Sequence, residues 1–146
     1  MNKGSKEGIH MKKNIQVGRI LDLPDADCSD FIMNARKKVV FGPQEGPDRY
    51  WDSYVMRFFA LQSFAVVPPH RHPWPHYVLF TGGKGKILIS QTRYEIEAGY
   101  WAFIPGGAVH SFWNTELETT LQVICIVPPE GDINPLQYES DGCTGC

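Results

Sequence analysis

Four of the five histidines in this 146-residue chain fall within two short segments. His70, His72 and His76 lie within seven residues of one another, and His110 follows a Pro-Gly-Gly sequence. Surface histidines do not usually cluster in this way, whereas metal ligands must. A mostly imidazole set without thiolate favours a catalytic type of metal site over a structural zinc finger. The spacing therefore predicts one divalent metal ion per chain. Iron, manganese, nickel, copper and zinc all remain open as its identity.

The backbone around these histidines indicates how they could reach one ion. On an extended strand, His70 and His72 leave the same face. Two prolines then stop the strand, and a short turn lets His76 approach as the next strand begins. The tight turn at residues 105–107 would deliver His110 from another part of the fold. We therefore expect a pair of ligands on one strand and two more from neighbouring strands of a β-barrel.

The remaining pattern is typical of an all-β domain. From residue 53 onward, short segments rich in aromatic and β-branched residues alternate with Gly and Pro turns, which predicts a sandwich or barrel. Residues 15–20 are a possible edge strand. Residues 31–41 are ambiguous between a helical turn and a strand, with a strand favoured at 39–41. The main predicted strands are 54–61, 63–67 (ended by Pro68 and Pro69), 76–80, 86–90, 93–96, 100–104, 109–113 and 120–127.

Length and pattern together predict a single domain with polar tails. Residues 1–14 are expected to be a flexible tail, either native or a cloning remnant with the natural start at Met11. Residues 15–49 are expected to supply strands and a loop that pack on the barrel, and residues 50–128 to form the barrel itself. Residues 129–146 are expected to form a tail with a CxxC sequence.

Composition excludes several classes of function. The net charge of −2 gives no basic footprint for nucleic acid, and no apolar run reaches the length of a membrane span. The N-terminal segment lacks the apolar stretch of a secretory signal. Cys125 is predicted in the core and Cys28 in a polar loop. Cys143 and Cys146 are interpreted as mobile thiols, although a redox pair or half of a metal site is an alternative. A reducing cytoplasm is the expected location.

The two histidine segments resemble the two motifs of the cupin superfamily. The first reads His70-x-His72-x3-His76-x6-Gly83, with His76 where that family usually has glutamate. The second matches in full, through Gly99, Pro105, Gly107, His110 and Asn114. The resemblance covers residues 50–128 and implies a small jelly-roll barrel, also called a double-stranded β-helix. It also implies that the four histidines are the metal ligands and that Asn114 is structural.

Four neutral imidazoles would leave the site of a divalent ion with a charge of +2, against +1 with a glutamate ligand. Anionic ligands are therefore favoured, and two adjacent coordination positions would stay open for a bidentate substrate or for substrate and dioxygen. Arg57 would be an anion clamp if its face of the strand points inward, and a solvated surface residue if it does not. Tyr77 and either Trp101 with Phe103 or Tyr100 with Ala102 are further candidates for the pocket wall.

The expected function is metal-dependent, dioxygenase-like chemistry on a small anionic or enolisable molecule, with oxygenation implied by the resemblance. The alternatives are a non-catalytic module that binds a small ligand or metal, and a metal-dependent isomerase or lyase. The aromatic stretch at residues 50–59 could supply an apolar patch, so we expect a homodimer. No nucleic-acid or membrane partner is expected.

Overall fold

The computed structural model describes residues 17–42 and 53–134. Strands dominate this part of the chain, and its helices are two single 3-10 turns at Ile20–Asp22 and Pro129–Gly131. In chain order the strands are β1 (Ala35–Phe41), β2 (Val55–Leu61), β3 (Val66–His70), β4 (His76–Gly82), β5 (Lys84–Ile89), β6 (Thr92–Glu97), β7 (Trp101–Ile104), β8 (His110–Asn114) and β9 (Leu121–Val127). None of the helices described is long and apolar enough to cross a membrane.

The strands form two antiparallel sheets. The order is β1-β2-β9-β4-β7 in the five-stranded sheet and β3-β8-β5-β6 in the four-stranded sheet. Burial alternates along β9 and β4, because successive side chains of a strand point to opposite faces. The inward faces of the two sheets meet in one apolar core that includes Phe80, Ile87 and Val123. The predicted all-β jelly roll is confirmed.

The N-terminal part of the chain differs from its prediction. The predicted edge strand at 15–20 is not a strand over residues 17–20, where Val17 is almost fully exposed. Strand β1 begins after Asn34, which has a φ of 58°. It pairs with β2 along its length and so forms part of the five-stranded sheet. The predicted tails at residues 1–14 and the CxxC of Cys143 and Cys146 lie outside the described residues.

The sequence predicted that Pro68 and Pro69 end the third strand, and this prediction is wrong. Strand β3 runs through both prolines to His70, with a register irregularity after Val67. It lies at the edge of the four-stranded sheet, where one side of the strand has no neighbouring strand among residues 17–42 and 53–134. Proline, which has no N–H to donate, is tolerated at edges and bulges. Strand β3 therefore places His70, its last residue, inside the barrel.

The turn between β4 and β5 lies where the sequence predicted a hairpin turn, but it joins strands of different sheets, and it depends on Gly83. Its φ is 78°, and a Cβ placed there would lie 2.3 Å from the carbonyl oxygen of Thr120. Only glycine allows this close backbone approach without displacing the neighbouring loop. The turn thus fixes how β4 and β5 cross from one sheet to the other.

Candidate metal centre

The four motif histidines come together inside the barrel. His70 ends β3, His76 begins β4, His110 begins β8, and His72 lies in the loop between β3 and β4. All four side chains are buried. The ring centroids are 4.1 Å apart for His70 and His110, and 4.5 Å apart for His72 and His76. The fold therefore collects imidazoles from three strands and one loop at a single point.

One detail of their delivery differs from the sequence-based expectation. His70 and His72 do not share a strand, because β3 ends at His70. Side-chain burial nevertheless continues to alternate after β3 ends, because both histidines are buried and Arg71 between them is exposed. An extended backbone is enough to place two side chains two residues apart on one face, whether or not it is hydrogen-bonded in a sheet.

Three of the imidazoles are oriented in the same way. Each hydrogen-bonds through Nδ1 to a backbone carbonyl two residues away in the chain. The pairs are His70 with Pro68 at 2.6 Å, His72 with Trp74 at 2.8 Å, and His110 with Ala108 at 2.9 Å. A carbonyl can only accept, so Nδ1 carries the proton and Nε2 keeps its lone pair. Carbonyl partners of this kind fix the tautomer and orientation of metal-binding histidines.

The three rings anchored through Nδ1 converge on one point. The ligand nitrogens of His70, His72 and His110 all lie within 4.8 Å of one another. The Nε2 atoms of His70 and His72 are buried and have no hydrogen-bond partner among the described residues. Leaving these two buried acceptors unpaired is costly, and one metal ion held together with His110 would satisfy both. The residues therefore fit a metal ion, with three imidazole ligands brought together.

His76 is placed differently from the other three. Its ring lies 4.5 Å from that of His72 and 5.1 Å from that of His110. Its ligand nitrogens fall outside the compact set formed by the other three histidines. Its Nδ1 is buried with no hydrogen-bond partner among the described residues. A four-histidine site thus stays a prediction, and the structure assembles three of its ligands.

The surroundings of His70, His72 and His76 keep these three rings neutral. Burial lowers the pKa of His70 to about 3 and that of His72 to about 4, and nearby His110 adds to both effects. Burial also holds the pKa of His76 well below its usual range, with the Arg57 charge as the next cause. A lowered histidine pKa keeps the ring uncharged near neutral pH. Uncharged imidazole is the form that binds a metal.

Two glycines lock the loops that carry the ligands. A Cβ at Gly106 would lie 2.1 Å from the carbonyl oxygen of Pro73, so the two motif loops touch through their backbones. Gly107 has a φ of 85° and donates its N–H to the carbonyl of His72 at 2.7 Å. The Pro-Gly-Gly sequence thus delivers His110 and also restrains the loop that bears His72.

Trp74 supports His72 in two ways and was not singled out from the sequence. Its backbone carbonyl accepts the Nδ1 proton of His72. Its indole ring also stacks on the imidazole, with centroids 4.6 Å apart and planes inclined by 6°. The only signal in the sequence was a tryptophan between two prolines. The positions of these prolines and of the tryptophan in the sequence do not indicate which ring the indole will stack on.

A cavity of about 120 Å³ adjoins the histidines. Its walls include three of the histidines and an apolar group formed by Phe31, Phe59, Val67 and Phe112. Arg57 also lines it, which decides between the two orientations left open by the sequence. Its side chain is 7% exposed and its NH1 lies 3.5 Å from Asp132. The cavity therefore combines apolar walls, imidazoles and a buried guanidinium.

Tyr77, Trp101 and Phe103 do not line this cavity, so their prediction as its walls is wrong. They are 41%, 76% and 49% exposed, respectively. The antiparallel register pairs Tyr77 with Phe103, and places both on the outer face of the five-stranded sheet. Strand alternation gives the reason: His76 and Val78 point inward, so the side chain between them points out.

The fold and site together define a jelly-roll barrel with a buried imidazole cluster beside a cavity. Residues 57–127 match the model of the cupin domain family. This part of the chain, slightly less than half of it, is thus similar to that family. An uncharacterized protein of Aquifex aeolicus is 41% identical over 58 residues, which cover 38% of this chain and 47% of that protein. The chain thus matches about half of the length of this relative.

Solved structures of low sequence identity have the same fold. The polyketide cyclase RemF from Streptomyces resistomycificus is 18% identical, with a TM-score of 0.69 over 86% of this chain and 93% of its own. A predicted oxalate decarboxylase from Thermotoga maritima is 16% identical, with a TM-score of 0.66 over 77% of this chain and 98% of its own. At these identities the likeness is one of fold alone.

Proposed function

We propose that this protein is a metal-dependent enzyme that acts on a small anionic or enolisable molecule, with dioxygenase-like oxygenation as its reaction. One observation carries the proposal. His70 and His72, anchored at Nδ1 and grouped with His110, present unpartnered Nε2 atoms beside a cavity that the buried guanidinium of Arg57 also lines. A purely structural metal site needs neither a cavity nor a buried cation next to it.

The chain's own residues divide the work. His70, His72 and His110 hold the ion, which when bound supplies Lewis acidity and, if it is redox-active, dioxygen chemistry. The imidazoles contribute no negative charge, so the site attracts an anionic group of the ligand. Arg57 binds a second polar group and thereby orients the molecule. The aromatic walls exclude water, which strengthens both interactions.

We retain His76 as the proposed fourth ligand. Its ring borders those of two of the other ligands, and its Nδ1 is buried without a partner among the described residues. Within the described part of the chain, no carbonyl anchors this ring through Nδ1, in contrast to the other three. His76 is therefore the ligand with the greatest freedom to adjust when an ion or a substrate binds.

Two other functions remain as alternatives. Non-oxidative chemistry, such as cyclisation, isomerisation or lyase cleavage, is supported by the fold likeness to a polyketide cyclase. A module that binds a small ligand without turnover is supported by the absence of a carboxylate from the metal-ligand cluster of the described residues. Both alternatives use the same cavity, so they differ from oxygenation in the fate of the ligand.

The reaction class is tested by oxygen consumption of defined metal forms. Separate samples are loaded with iron, manganese, nickel, copper or zinc and screened against β-diketones and phenolates in an oxygen electrode. We expect consumption with at least one redox-active metal and none with zinc. Arg57→Met should lower kcat/KM for anionic substrates by about 10–100-fold through loss of one charged hydrogen-bond donor. Arg36→Met, on the exposed face of β1, is the matched control.

Other outcomes of this screen separate the alternatives. Product formation without oxygen, at similar rates with zinc and with iron, would point to a cyclase, isomerase or lyase. Saturable ligand binding without turnover in any metal form would point to a binding module. Either result contradicts the proposed oxygenation.

We also propose that the protein is a homodimer. The described part of the 50–59 stretch cannot supply the expected patch, because Val55, Phe58 and Phe59 are buried. The outer face of β4 and β7 offers an alternative, since it exposes Tyr77, Leu79, Trp101 and Phe103. Strand β7 is also an edge of its sheet. Exposed apolar edges in natural proteins are usually covered, and a second copy would cover this one.

Sedimentation velocity tests this interface. We expect the wild-type protein to sediment as a dimer, and Trp101→Lys to weaken dimerisation by about 2 kcal/mol or more because it places a charge in a buried apolar contact. Leu117→Lys changes a residue that is 68% exposed outside this strand pair, and should leave the dimer intact. A wild-type monomer over the micromolar range, or equal effects of the two variants, would exclude the interface.

A reducing cytoplasm is the proposed location. Cys28 and Cys125 are both free thiols. Cys125 is buried in the core, as the sequence predicted, and burial raises its pKa to about 11. Such a thiol stays protonated and inert.

A further inference from the structure

Two cations beside the metal centre share one carboxylate. The Nζ of Lys37 lies 2.6 Å from Oδ1 of Asp132, and NH1 of Arg57 lies 3.5 Å from the same oxygen. The side chains of Lys37 and Arg57 are only 13% and 7% exposed, and both line the cavity. A single oxygen atom therefore accepts a hydrogen bond from Lys37 and forms an ion pair with the guanidinium of Arg57.

This carboxylate does not satisfy the guanidinium of Arg57. Arg57 keeps its Nε buried and without a hydrogen-bond partner among the described residues. Its guanidinium lies 5.3 Å from the ring centre of Phe59, a contact that supplies no hydrogen-bond acceptor. A buried, unpaired donor on a charged group is costly, so the site is built to accept a further anion or carbonyl.

The other charges that face the cavity do not fill this role. Asp27 and Asp30 also line it, but both are exposed. The carboxylate of Asp27 accepts hydrogen bonds from the backbone and hydroxyl of Ser29, at 2.9 and 2.7 Å. The two buried cations thus have Asp132 as the one carboxylate in ion-pair contact among the described residues.

Asp132 belongs to a short segment that lies outside both sheets. It follows the single 3-10 turn Pro129–Gly131, after the last strand has ended. Gly131 packs against Trp74, the residue that stacks on His72. Ile133 and Asn134 line the cavity beyond it. The segment therefore brings a carboxylate of the chain itself to a cavity that adjoins the histidines.

We propose that Arg57 and Lys37 form a carboxylate-binding subsite, that Asp132 occupies it when no ligand is bound, and that the carboxylate of a ligand displaces Asp132. This inference rests on the proposed function only in that the ligand enters the histidine cavity. It narrows the ligand to a compact molecule that carries a carboxylate at one end and a metal-binding group at the other. The aromatic residues in the cavity wall favour a flat or apolar body between them.

Replacing Asp132 with asparagine distinguishes competition from positioning. The amide keeps the shape of the side chain and one oxygen acceptor, but it removes the negative charge. If Asp132 competes with the ligand, its neutralisation leaves two cations unbalanced and anions bind more tightly. If Asp132 only holds Arg57 in place, its neutralisation loosens the guanidinium and anions bind less tightly. The two roles predict opposite signs.

The test is calorimetric titration with benzoate and with its neutral isostere benzamide. We expect Asp132→Asn to bind benzoate at least about tenfold more tightly than wild type, because a competing charge is removed. Benzamide affinity should change little. Glu130→Gln removes one negative charge from an exposed position of the same segment and should behave as wild type. Arg57→Gln should lose the preference for benzoate over benzamide.

Titrations of zinc-loaded and metal-free protein separate this proposal from metal binding. The effect of Asp132→Asn should appear in both forms, because the subsite is made by Arg57 and Lys37. Failure of the protein to bind metal would contradict the proposed function. The difference in benzoate affinity between Asp132→Asn and the wild type could still be measured in the metal-free protein. Unchanged or weaker benzoate binding in Asp132→Asn would overturn the subsite. If the melting temperature of Asp132→Asn is too low for titration, Asp132→Ser replaces it. Benzoate binding by Asp132→Ser that is no tighter than that of the wild type would also overturn the subsite.

Discussion

The His70→Ala/His72→Ala protein is expected to purify without bound metal under conditions in which the wild type carries one ion per chain. These two side chains supply two of the three converging Nε2 atoms. Losing a single outer partner of a metal ligand costs about 10–100-fold in affinity, and losing two ligands should cost far more. Metal content by mass spectrometry and a competitive chelator titration measure the effect.

Two matched histidine variants complete this experiment. His76→Glu should retain metal, because a carboxylate oxygen is an acceptable ligand and the three anchored imidazoles remain. His10→Ala changes a histidine outside both motifs and should bind metal as the wild type does. Full occupancy of the double variant would contradict the assignment of the site. A loss in His76→Glu as large as that in the double variant would contradict the division into three anchored ligands and one adjustable ligand.

Asn114→Ala is expected to produce the largest loss of stability among single substitutions outside the metal centre. Asn114 is fully buried, and its Oδ1 accepts the backbone N–H of Glu116 at 2.7 Å. Its Nδ2 is in hydrogen-bonding range of three backbone carbonyls, those of Leu61, Gln62 and Thr119. Each group left unpaired costs about 1–3 kcal/mol, so the free energy of unfolding should fall by about 3–5 kcal/mol.

Thermal and urea unfolding of the metal-free protein measure this loss without a contribution from the ion. The melting temperature should fall by about 10 °C, because a loss of 1 kcal/mol lowers the melting temperature of a protein of this size by about 2–4 °C. Asn34→Gly removes a single exposed hydrogen bond to Ser63 at a position with a φ of 58°, which glycine tolerates. It should change stability by less than about 1 kcal/mol. Equal effects of the two variants would show that the buried network contributes little.

Much of the site could be predicted from the sequence because its signals are local. The spacing of His70, His72 and His76 constrains where their side chains can point, whatever the rest of the fold does. The Pro-Gly-Gly turn and Gly83 mark backbone conformations that few other residues adopt. The strand-and-turn rhythm from residue 53 likewise follows from short-range chemistry. These features determined the all-β fold and the cluster of imidazoles.

Where both faces of a strand carry apolar or aromatic residues, the sequence could not determine which face meets the cavity. Arg57 and Trp101 both lie in aromatic strands, and either residue could have pointed inward. Pairing of β2 with β9 turns Arg57 to the interior, and pairing of β4 with β7 turns Trp101 to the outside. A shift of one residue in register would exchange the two faces. Only the completed sheets decide between them.

Contacts between residues distant in the chain also required the tertiary structure. Asp132 lies far along the chain from Lys37, yet the fold brings their charged atoms to 2.6 Å. Trp74 is close to His72 in sequence, but its stacking depends on a loop that turns the indole back over the ring. Neither contact leaves a periodic signal in the sequence. The sequence thus determined which groups could bind a metal, and the packing of the two sheets decided which other groups share their cavity.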